Sequence, residues 1–182
     1  MMAQLFLSPP DVIYQASYIS YVREMLAEGS SVEWKPAMLE RHFAQYVQML
    51  LSKATEPAAG MVAQNDYWLI ADSEVVGRCG VRHELNAALL RYGGHISYDV
   101  RPSARRRGYG LRQCQLALGK AHDLGITRAL ITCDDDNLGS IRIIESCGGV
   151  LQDKVDNGRH TTTRRYWVDT ARWAEQAQPP TI

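Results

Sequence analysis

The chain has 182 residues and is 46% hydrophobic, a length and composition that suit one domain spanning residues 1–182. Lysine plus arginine equals aspartate plus glutamate at 20 each, so the formal net charge is zero. This balance argues against broad nucleic-acid or membrane-surface binding, and no apolar run approaches the ~20 residues that span a bilayer.

The first part of the chain predicts a strand and two helices. A short strand over Gln4–Leu7 precedes a Ser-Pro-Pro-Asp turn, and apolar residues at helical spacing predict a helix over Val12–Ala27. Pro36 opens a second helix, because proline is tolerated at the first helical position. The apolar stripes of both helices indicate core packing, and the alternative is that the helices wall a substrate pocket.

The middle of the chain predicts an antiparallel meander and then a parallel strand pair. Strands are expected over Asp66–Ala71 and Val75–His83, with a hairpin turn between them, and over His95–Val100. A helix ending at Gly125 separates the third strand from a buried strand over Thr127–Cys133. Because a helix crosses between them, these last two strands should run parallel.

The end of the chain predicts a short helix over Ile141–Cys147 and two strands over Val150–Val155 and His160–Val168. A last short helix is expected over Thr170–Gln178. No internal repeat or linker interrupts this order of elements.

A turn rich in arginine and glycine lies between the central strand and the following helix. Pro102 ends the strand, and the turn then reads Arg105, Arg106, Arg107, Gly108, Tyr109, Gly110. The first N–H groups of a helix lack internal partners, and the helix dipole is positive at that end. The two glycines let a phosphate approach the backbone, and arginine binds phosphate in a bidentate way. The sequence therefore predicts an anion site here, with an ordinary turn as the alternative.

The order of elements resembles the GNAT acyltransferase superfamily, and the Arg-x-x-Gly-x-Gly turn is similar to that family's acyl-CoA loop. The resemblance implies an α/β (α+β) fold with a mixed, mostly antiparallel central sheet of about seven strands. Helices would lie on both faces, and the sheet would hold a central parallel strand pair. The resemblance also implies acetyl-CoA (coenzyme A) as cosubstrate, with no metal, and an amine as acceptor.

A second stretch, Asn137-Leu138-Gly139-Ser140, is similar to the family's motif at the start of the next helix. The resemblance implies that Asn137 binds the pantetheine arm, that Ser140 lies near the phosphates, and that Asp99 and Val100 offer backbone groups to the thioester. The cofactor-binding residues implied in this way are Val100, Arg105, Arg106, Arg107, Gly108, Tyr109, Gly110, Asn137 and Ser140.

The proton-handling residues are less clearly marked. Many family members carry a tyrosine in this helix as the general acid, but Ile144 stands there and can give no proton. The candidates for acid–base catalysis are Glu84, His83, His95, Tyr98, Asp99 and the run Asp134, Asp135, Asp136. From these, Glu84, His95 and Tyr98 are selected as the catalytic residues. Their alternatives are a solvated loop carboxylate, a structural histidine and a core aromatic. Asp134 and Asp135 could bind a cationic amine or cap the following helix.

These features predict an N-acetyltransferase that transfers acetyl from acetyl-CoA to a primary amine of an unidentified acceptor, directly within a ternary complex. Cys79, Cys114, Cys133 and Cys147 lack metal-ligand spacing and do not suggest a nucleophile. The alternatives are a non-catalytic acyl-CoA-binding or regulatory module, favoured by Ile144, and a structural subunit.

We also expect a soluble, cytoplasmic protein, because residues 1–7 are too short and uncharged for a signal sequence. No nucleic-acid or membrane partner is expected, and family habit suggests a homodimer.

Overall fold

The computed structural model describes residues 5–158 and 161–177, with side chains described as far as residue 174. Within these residues, seven strands run over Leu5–Ser8 (β1), Gln64–Ala71 (β2), Glu74–Arg82 (β3), Ile96–Val100 (β4), Arg128–Asp134 (β5), Val150–Asp156 (β6) and Thr162–Asp169 (β7). The same described part of the chain has four α-helices, over Gln15–Ala27 (α1), Pro36–Ser52 (α2), Tyr109–Asp123 (α3) and Leu138–Ser146 (α4).

The strands form one sheet in the order β1-β2-β3-β4-β5-β7-β6. Only β4 and β5 pair in parallel, and every other neighbouring pair of described strands is antiparallel. The crossover between β4 and β5 is made by α3, as the sequence predicted. The predicted mixed sheet with a central parallel pair is therefore confirmed.

Helices cover both faces of the sheet, because alternate strand residues point to opposite faces. On one face, the apolar stripes of α1 and α2 pack against Trp68, Ile70 and Val75. On the other face, α3 and α4 pack against residues such as Val81 and Ile131. In the described part of the chain, no helix is long and apolar enough to cross a membrane.

The predicted elements differ from the structure mainly at their ends. The first helix begins with a 3₁₀ turn over Val12–Tyr14, which Asp11 caps through its side chain. The segment after β3 contains a π-helical turn over Leu89–Gly93. The last predicted helix is a 3₁₀ helix over Ala171–Ala177. Predictions that fall on Gln4, His160 and Gln178 lie outside the described residues.

The parallel pair separates soon after it begins. The register of β4 and β5 contains the single pair Ile96 and Ile131 among the described residues. The rest of β4 therefore has a backbone edge that β5 does not cover, and this edge organises the candidate site.

Candidate active site

A groove of about 460 Å³ opens beside the uncovered edge of β4, between the beginnings of α3 and α4. We call it the donor groove. It is lined by Tyr98, Asp99, Val100, Arg105, Arg106, Gly110, Asn137, Gly139, Ser140 and Ile143. Six of the nine predicted cofactor-binding residues are in this set, and Arg107, Gly108 and Tyr109 lie in the same turn.

The N-terminus of α3 points its unpaired N–H groups toward this groove. Gly108 is the N-cap residue with φ of 81°, a left-handed conformation that suits glycine, and no side chain caps the helix. The first bond of the helix runs from Arg112 N–H to Gly108 O, so the preceding N–H groups have no helical partner. Gly110 lines the groove. The arrangement fits an anionic group such as the pyrophosphate of coenzyme A.

The arginines of the turn do not act alike. Arg105 donates from Nη1 to Glu28 Oε2 over 2.6 Å and from Nη2 to Glu28 Oε1 over 2.5 Å, which uses its guanidinium fork. Its Nε also donates to Val100 O over 3.0 Å. Arg105 therefore ties the turn to α1. The structure assigns it a role in shaping the groove, whereas Arg106 lines the groove and Arg107 is exposed.

A second ion pair fixes the other end of the turn. Arg101 is buried, and its Nε donates to Glu24 Oε1 over 3.0 Å. Glu24 Oε2 accepts from Ser103 N–H over 3.0 Å. Burial alone would raise the pKa of Glu24, but the hydrogen bonds from Arg101 and Ser103 lower it to about 2. One face of α1, carrying Glu24 and Glu28, thus holds the turn in place.

Replacing Glu24 with glutamine is expected to lower the free energy of unfolding at pH 7 by about 2 kcal/mol, because the buried Arg101 then keeps only the longer, exposed ion pair with Glu74. The Glu24 carboxylate stabilises the fold fully above its ordinary pKa of 4.5, and this contribution is lost as pH falls toward about 2. Urea unfolding of both proteins between pH 7 and pH 3 should show that the difference in their free energies of unfolding becomes smaller as the pH falls.

Glu40→Gln is the matched control for this measurement, because Glu40 forms an exposed pair with Arg23 and should contribute little. A difference for Glu24→Gln that is no larger than for Glu40→Gln, or that is constant with pH, contradicts the assigned role of Glu24.

The uncovered edge of β4 presents backbone groups to the donor groove. Arg82 N–H donates to His95 O and Arg101 N–H donates to Val76 O, at the two ends of the β3–β4 ladder. In an antiparallel ladder, alternate residues turn their backbone groups to opposite sides. Tyr98 and Val100 therefore direct their N–H and C=O groups away from β3, toward the gap.

This alternation corrects one expectation. The backbone of Asp99, expected to serve the thioester, faces β3 instead. A Cβ built on Gly77 of β3 would lie 2.6 Å from Asp99 O, which places that carbonyl against β3. Tyr98 takes the place of Asp99 beside Val100 as a source of backbone groups for the donor.

The beginning of α4 brings the Ser140 hydroxyl to the donor groove. Asn137 caps the helix by accepting from Ser140 N–H over 3.0 Å. The Ser140 hydroxyl lies 2.9 Å from the Tyr98 hydroxyl. Ile144 is fully buried in the core, so it plays no part in proton transfer. Burial raises the pKa of Tyr98 above its ordinary value, and its hydroxyl therefore keeps its proton at neutral pH.

A second cavity, of about 260 Å³, lies on the face of the sheet covered by α1 and α2. We call it the acceptor cavity. It shares Tyr98 and Asp99 with the donor groove, so the two spaces meet at β4. Its other lining residues include Tyr18, Tyr46, Lys53, Asp66, Trp68 and Arg78.

The Asp99 carboxylate is fully engaged at this meeting point. Tyr21 donates its hydroxyl to Asp99 Oδ1, and Arg78 donates from Nε to Asp99 Oδ2 over 2.9 Å. Asp99 therefore fixes the junction between the two cavities, with both of its oxygens held by side-chain donors.

Of the two strand carboxylates that line the acceptor cavity, Asp66 is less fully engaged than Asp99. Its Oδ1 accepts from Gln64 Nε2 over 2.8 Å. Its Oδ2 is buried without a hydrogen-bond partner among the described residues and lies 3.4 Å from Lys53 Nζ. Burial raises the pKa of Asp66, although Lys53 opposes this effect. A carboxylate with a raised pKa that faces a cavity is suited to accept a proton.

Sequence reasoning missed Asp66, Arg78 and Tyr21. The period-two spacing of Gln64, Asp66 and Trp68 was an available signal, because it places all three side chains on the face covered by α1 and α2. The partners of Asp99 lie 21 and 78 residues away in sequence, so no local pattern marks them.

The other two catalytic candidates are placed away from these cavities. His95 is buried, and its Nδ1 accepts from Leu130 N–H over 2.9 Å, so the ring joins β5 to the start of β4. Burial lowers the pKa of His95 to about 4, and the nearby Arg82 contributes. Glu84 is exposed in the loop after β3 and lines neither the donor groove nor the acceptor cavity. For both residues the structure favours the non-catalytic alternative.

The acidic run after β5 is also engaged. Asp135 accepts from Lys154 Nζ over 3.0 Å and from Arg164 Nε, and both bonds lower the pKa of Asp135. Asp134 Oδ1 accepts from Asn157 Nδ2 over 3.4 Å. These contacts join the loop to β6 and β7, so the expectation that the pair binds a cationic amine is not supported. In the described part of the chain, no cluster of His, Cys, Asp or Glu could hold a metal ion.

The cysteine thiols are buried. Cys79 lines the acceptor cavity, but burial raises its pKa well above the ordinary value. Burial also raises the pKa of Cys133 to about 11. A protonated thiol is a weak nucleophile, so neither residue suits a covalent acyl-enzyme mechanism.

Together, the N-terminus of α3, the uncovered edge of β4 and the adjoining acceptor cavity form two spaces that meet at one strand, an arrangement that suits transfer of a group between two bound molecules. The sequence profile of the acetyltransferase (GNAT) domain family matches residues 15–150, which is most of the chain. The chain therefore belongs to the GNAT family and is an acetyl-CoA-dependent N-acetyltransferase, as the sequence predicted.

Solved structures share the fold at low identity. The microcin C7 self-immunity acetyltransferase MccE, in complex with acetyl-CoA and AMP, is 15% identical with a TM-score of 0.67, covering 91% of this chain and 92% of that chain. Mycobacterium smegmatis RimJ, in complex with CoA-disulfide, is 12% identical with a TM-score of 0.70, covering 97% and 91%.

Mutant forms of the spermidine/spermine N-acetyltransferase SpeG from Vibrio cholerae are 14% identical with a TM-score of 0.62, covering 96% of this chain and 99% of that chain. No curated protein matches the sequence significantly.

Proposed function

We propose that the protein transfers acetyl from acetyl-CoA directly to a primary amine while both substrates are bound. The observation that carries this proposal is the shared wall of Tyr98 and Asp99, through which the donor groove meets the acceptor cavity. Two adjoining spaces allow both substrates to be present at once, and proximity of this kind supplies much of the rate in acyl transfer. The high pKa of the Cys79 thiol argues for the same route.

The donor groove fits acetyl-CoA in three ways. The unpaired N–H groups at the start of α3 and the exposed Arg106 suit the pyrophosphate. Val100 and Ile143 give the groove an apolar wall for the pantetheine arm. The N–H groups of Tyr98 and Val100 on the uncovered edge of β4 suit an oxygen that gains negative charge. Acetyl-CoA supplies the activated acyl group and a thiolate leaving group.

Asp66 is the proposed proton acceptor for the amine. An ammonium group cannot attack, so a base in the acceptor cavity must take one proton, directly or through a water molecule. Asp66 lies on the same face as Asp99, and its raised pKa makes it a better base than an ordinary surface carboxylate.

The Tyr98 hydroxyl is the proposed proton donor to the departing thiolate. It lies on the strand that separates the two cavities and is hydrogen-bonded to Ser140 at the N-terminus of α4. The hydroxyl pair takes over the task that a tyrosine in α4 has in many family members. This weakens the alternative of a non-catalytic acyl-CoA-binding module, which rested on Ile144.

The acceptor is not specified by family membership. The solved structures named above include a microcin C7 self-immunity acetyltransferase and a spermidine/spermine N-acetyltransferase, so the shared fold does not fix the acceptor. We therefore propose a primary amine as the acceptor class. The shape and charge of the acceptor cavity and its surroundings narrow this class further.

Thiol release from acetyl-CoA with a panel of primary amines tests the proposal. The wild-type protein should release thiol, with kcat/KM falling as pH drops through the raised pKa of Asp66. Asp66→Asn should lower kcat/KM by about 10²-fold and remove this acid limb. Asp72→Asn, in the exposed hairpin turn, is the matched control and should behave as wild type.

Acetyl-CoA binding without thiol release for any amine would support the binding-module alternative. Full activity and an unaltered pH profile in Asp66→Asn would instead reject Asp66 as the base and leave the transferase assignment intact.

A further inference from the structure

Arg82 carries a charge that no acidic residue neutralises in the described part of the chain. It is half-buried near the end of β3, and its Nη1 donates to Gly93 O over 3.1 Å and Gly94 O over 3.0 Å. The other two cations of this face are paired, Lys53 with Asp66 and Arg78 with Asp99. A partly buried guanidinium with carbonyl partners alone is a favourable place for an anionic ligand group.

Arg82 lines a third cavity that continues the acceptor cavity outward. This outer cavity has a volume of about 600 Å³ and shares Glu33, Lys53 and Gln64 with the acceptor cavity. Its wall is mainly apolar and is formed by Pro57, Ala58, Met61, Val62, Ala88 and Leu89. The combined space is therefore an elongated acceptor site with the reaction centre at one end and Arg82 beyond an apolar stretch.

The acidic group of the outer cavity does not cancel the charge of Arg82. Glu33 is exposed to solvent and makes no ion pair among the described residues, so its charge is well screened. Asp66 is the acidic residue whose charge acts on Arg82, but its carboxylate oxygens contact Gln64 and Lys53 instead. Burial lowers the pKa of Arg82, with Asp66 opposing the effect, which agrees with a cation that lacks a close partner.

The strand register gives the spacing between the two ends. Tyr98 is opposite Cys79 in the β3–β4 ladder, and Arg82 lies three residues further along β3. At about 3.3 Å per residue, the backbone positions are about 10 Å apart. An α-amino acid is too short to reach both ends, whereas an amine and a carboxylate separated by several bonds can do so.

We propose that Arg82 selects an acceptor that carries a carboxylate at the far end of an apolar body from the reacting amine. This inference rests on the proposed acetyl transfer to primary amines and narrows the acceptor class. One feature favours it over a polyamine acceptor: the described side chains form no ion pair with Arg82, so a second ammonium group at the far end would meet an uncompensated cation.

Three amines of equal length test the proposal, namely 6-aminohexanoate, 6-aminohexanamide and 1,6-diaminohexane, which differ only in the charge of the far end. The wild-type protein should acetylate the carboxylate compound with a kcat/KM at least about tenfold above the amide, and the diamine least. Arg82→Gln should reduce the ratio of the first two to about one. Arg82→Glu should reverse the order in favour of the diamine, and Arg82→Lys should keep the original order.

Melting temperature and acetyl-CoA affinity should be measured for each variant, because Arg82 also holds two loop carbonyls. Wild-type ratios within about twofold of one, or a preference that survives in both Arg82→Gln and Arg82→Glu, overturn the proposal. Transfer to hexylamine but to none of the three compounds overturns it as well. Absence of thiol release with every amine, hexylamine included, is a failure of the proposed function and is distinguishable from these results.

Discussion

Replacing Tyr98 with phenylalanine is expected to lower kcat for acetyl transfer by about 10²-fold, the effect typical of removing a positioned proton donor. The Tyr98 hydroxyl pairs with Ser140 at the wall shared by both cavities, and the phenylalanine ring keeps the shape of that wall. Acetyl-CoA affinity should therefore change by no more than about threefold, because the lost interaction serves the transition state. Steady-state kinetics and calorimetry with acetyl-CoA measure the two effects separately.

Two further variants sharpen this prediction. Ser140→Ala should cause a smaller loss, because the Tyr98 hydroxyl remains and loses only its partner. Tyr14→Phe is the matched control, since Tyr14 packs edge-on against Trp68 and lines neither the donor groove nor the acceptor cavity. Wild-type kcat in Tyr98→Phe would show that the thiolate takes its proton from another source, such as water.

Replacing Gly110 with valine is expected to weaken acetyl-CoA binding by at least about 10²-fold. A Cβ on Gly110 would lie 2.9 Å from Ile143 Cδ1 and 3.7 Å from Val100 Cγ2, and both of these side chains line the donor groove. A β-branched side chain adds two methyl groups at this narrow point and pushes the wall into the groove. The free N–H groups at the start of α3 would then be shielded from the donor. Calorimetric titration with acetyl-CoA measures the effect.

The contact between position 110 and Ile143 also predicts a second substitution that should restore binding. Gly110→Ala should cost little, because the contacting atom is the end of a flexible isoleucine side chain. The double variant Gly110→Val with Ile143→Ala should recover part of the affinity, since the second change removes the clashing methyl group. Tight acetyl-CoA binding by the folded Gly110→Val protein would contradict the placement of the donor beside Gly110.

The fold and the donor half of the site could be predicted from the sequence because local patterns determine them. Period-two and helical spacing gave the order of elements, and the crossover helix required a parallel pair of β4 and β5. The turn at Arg105–Gly110 marks the donor groove for the same reason, since a loop and a helix N-terminus adjacent in sequence form it. The choice of Asn137 as the cap of α4 also depends on neighbours in sequence.

The acceptor half, and the contacts that engage Arg105 and His95, could not be predicted because residues distant in sequence create them. The sequence predicted Arg105 as a phosphate ligand. In the structure its guanidinium instead pairs with Glu28, which lies 77 residues earlier in the chain. His95 was suited to catalysis by its residue type, but burial and its bond with Leu130 make it structural. Asp66 is a candidate base because burial raises its pKa in a cavity that α2 helps to line. No sequence motif predicts how α2 packs there.

Initial-velocity kinetics test the central claim of direct transfer most directly. Rates of thiol release should be measured over a grid of acetyl-CoA and amine concentrations, with the best acceptor from the amine panel. Double-reciprocal lines that intersect are the predicted result, because both substrates must occupy the adjoining donor groove and acceptor cavity before transfer. Parallel lines, together with a burst of thiol from acetyl-CoA alone, would demonstrate a covalent acyl-enzyme and contradict the account.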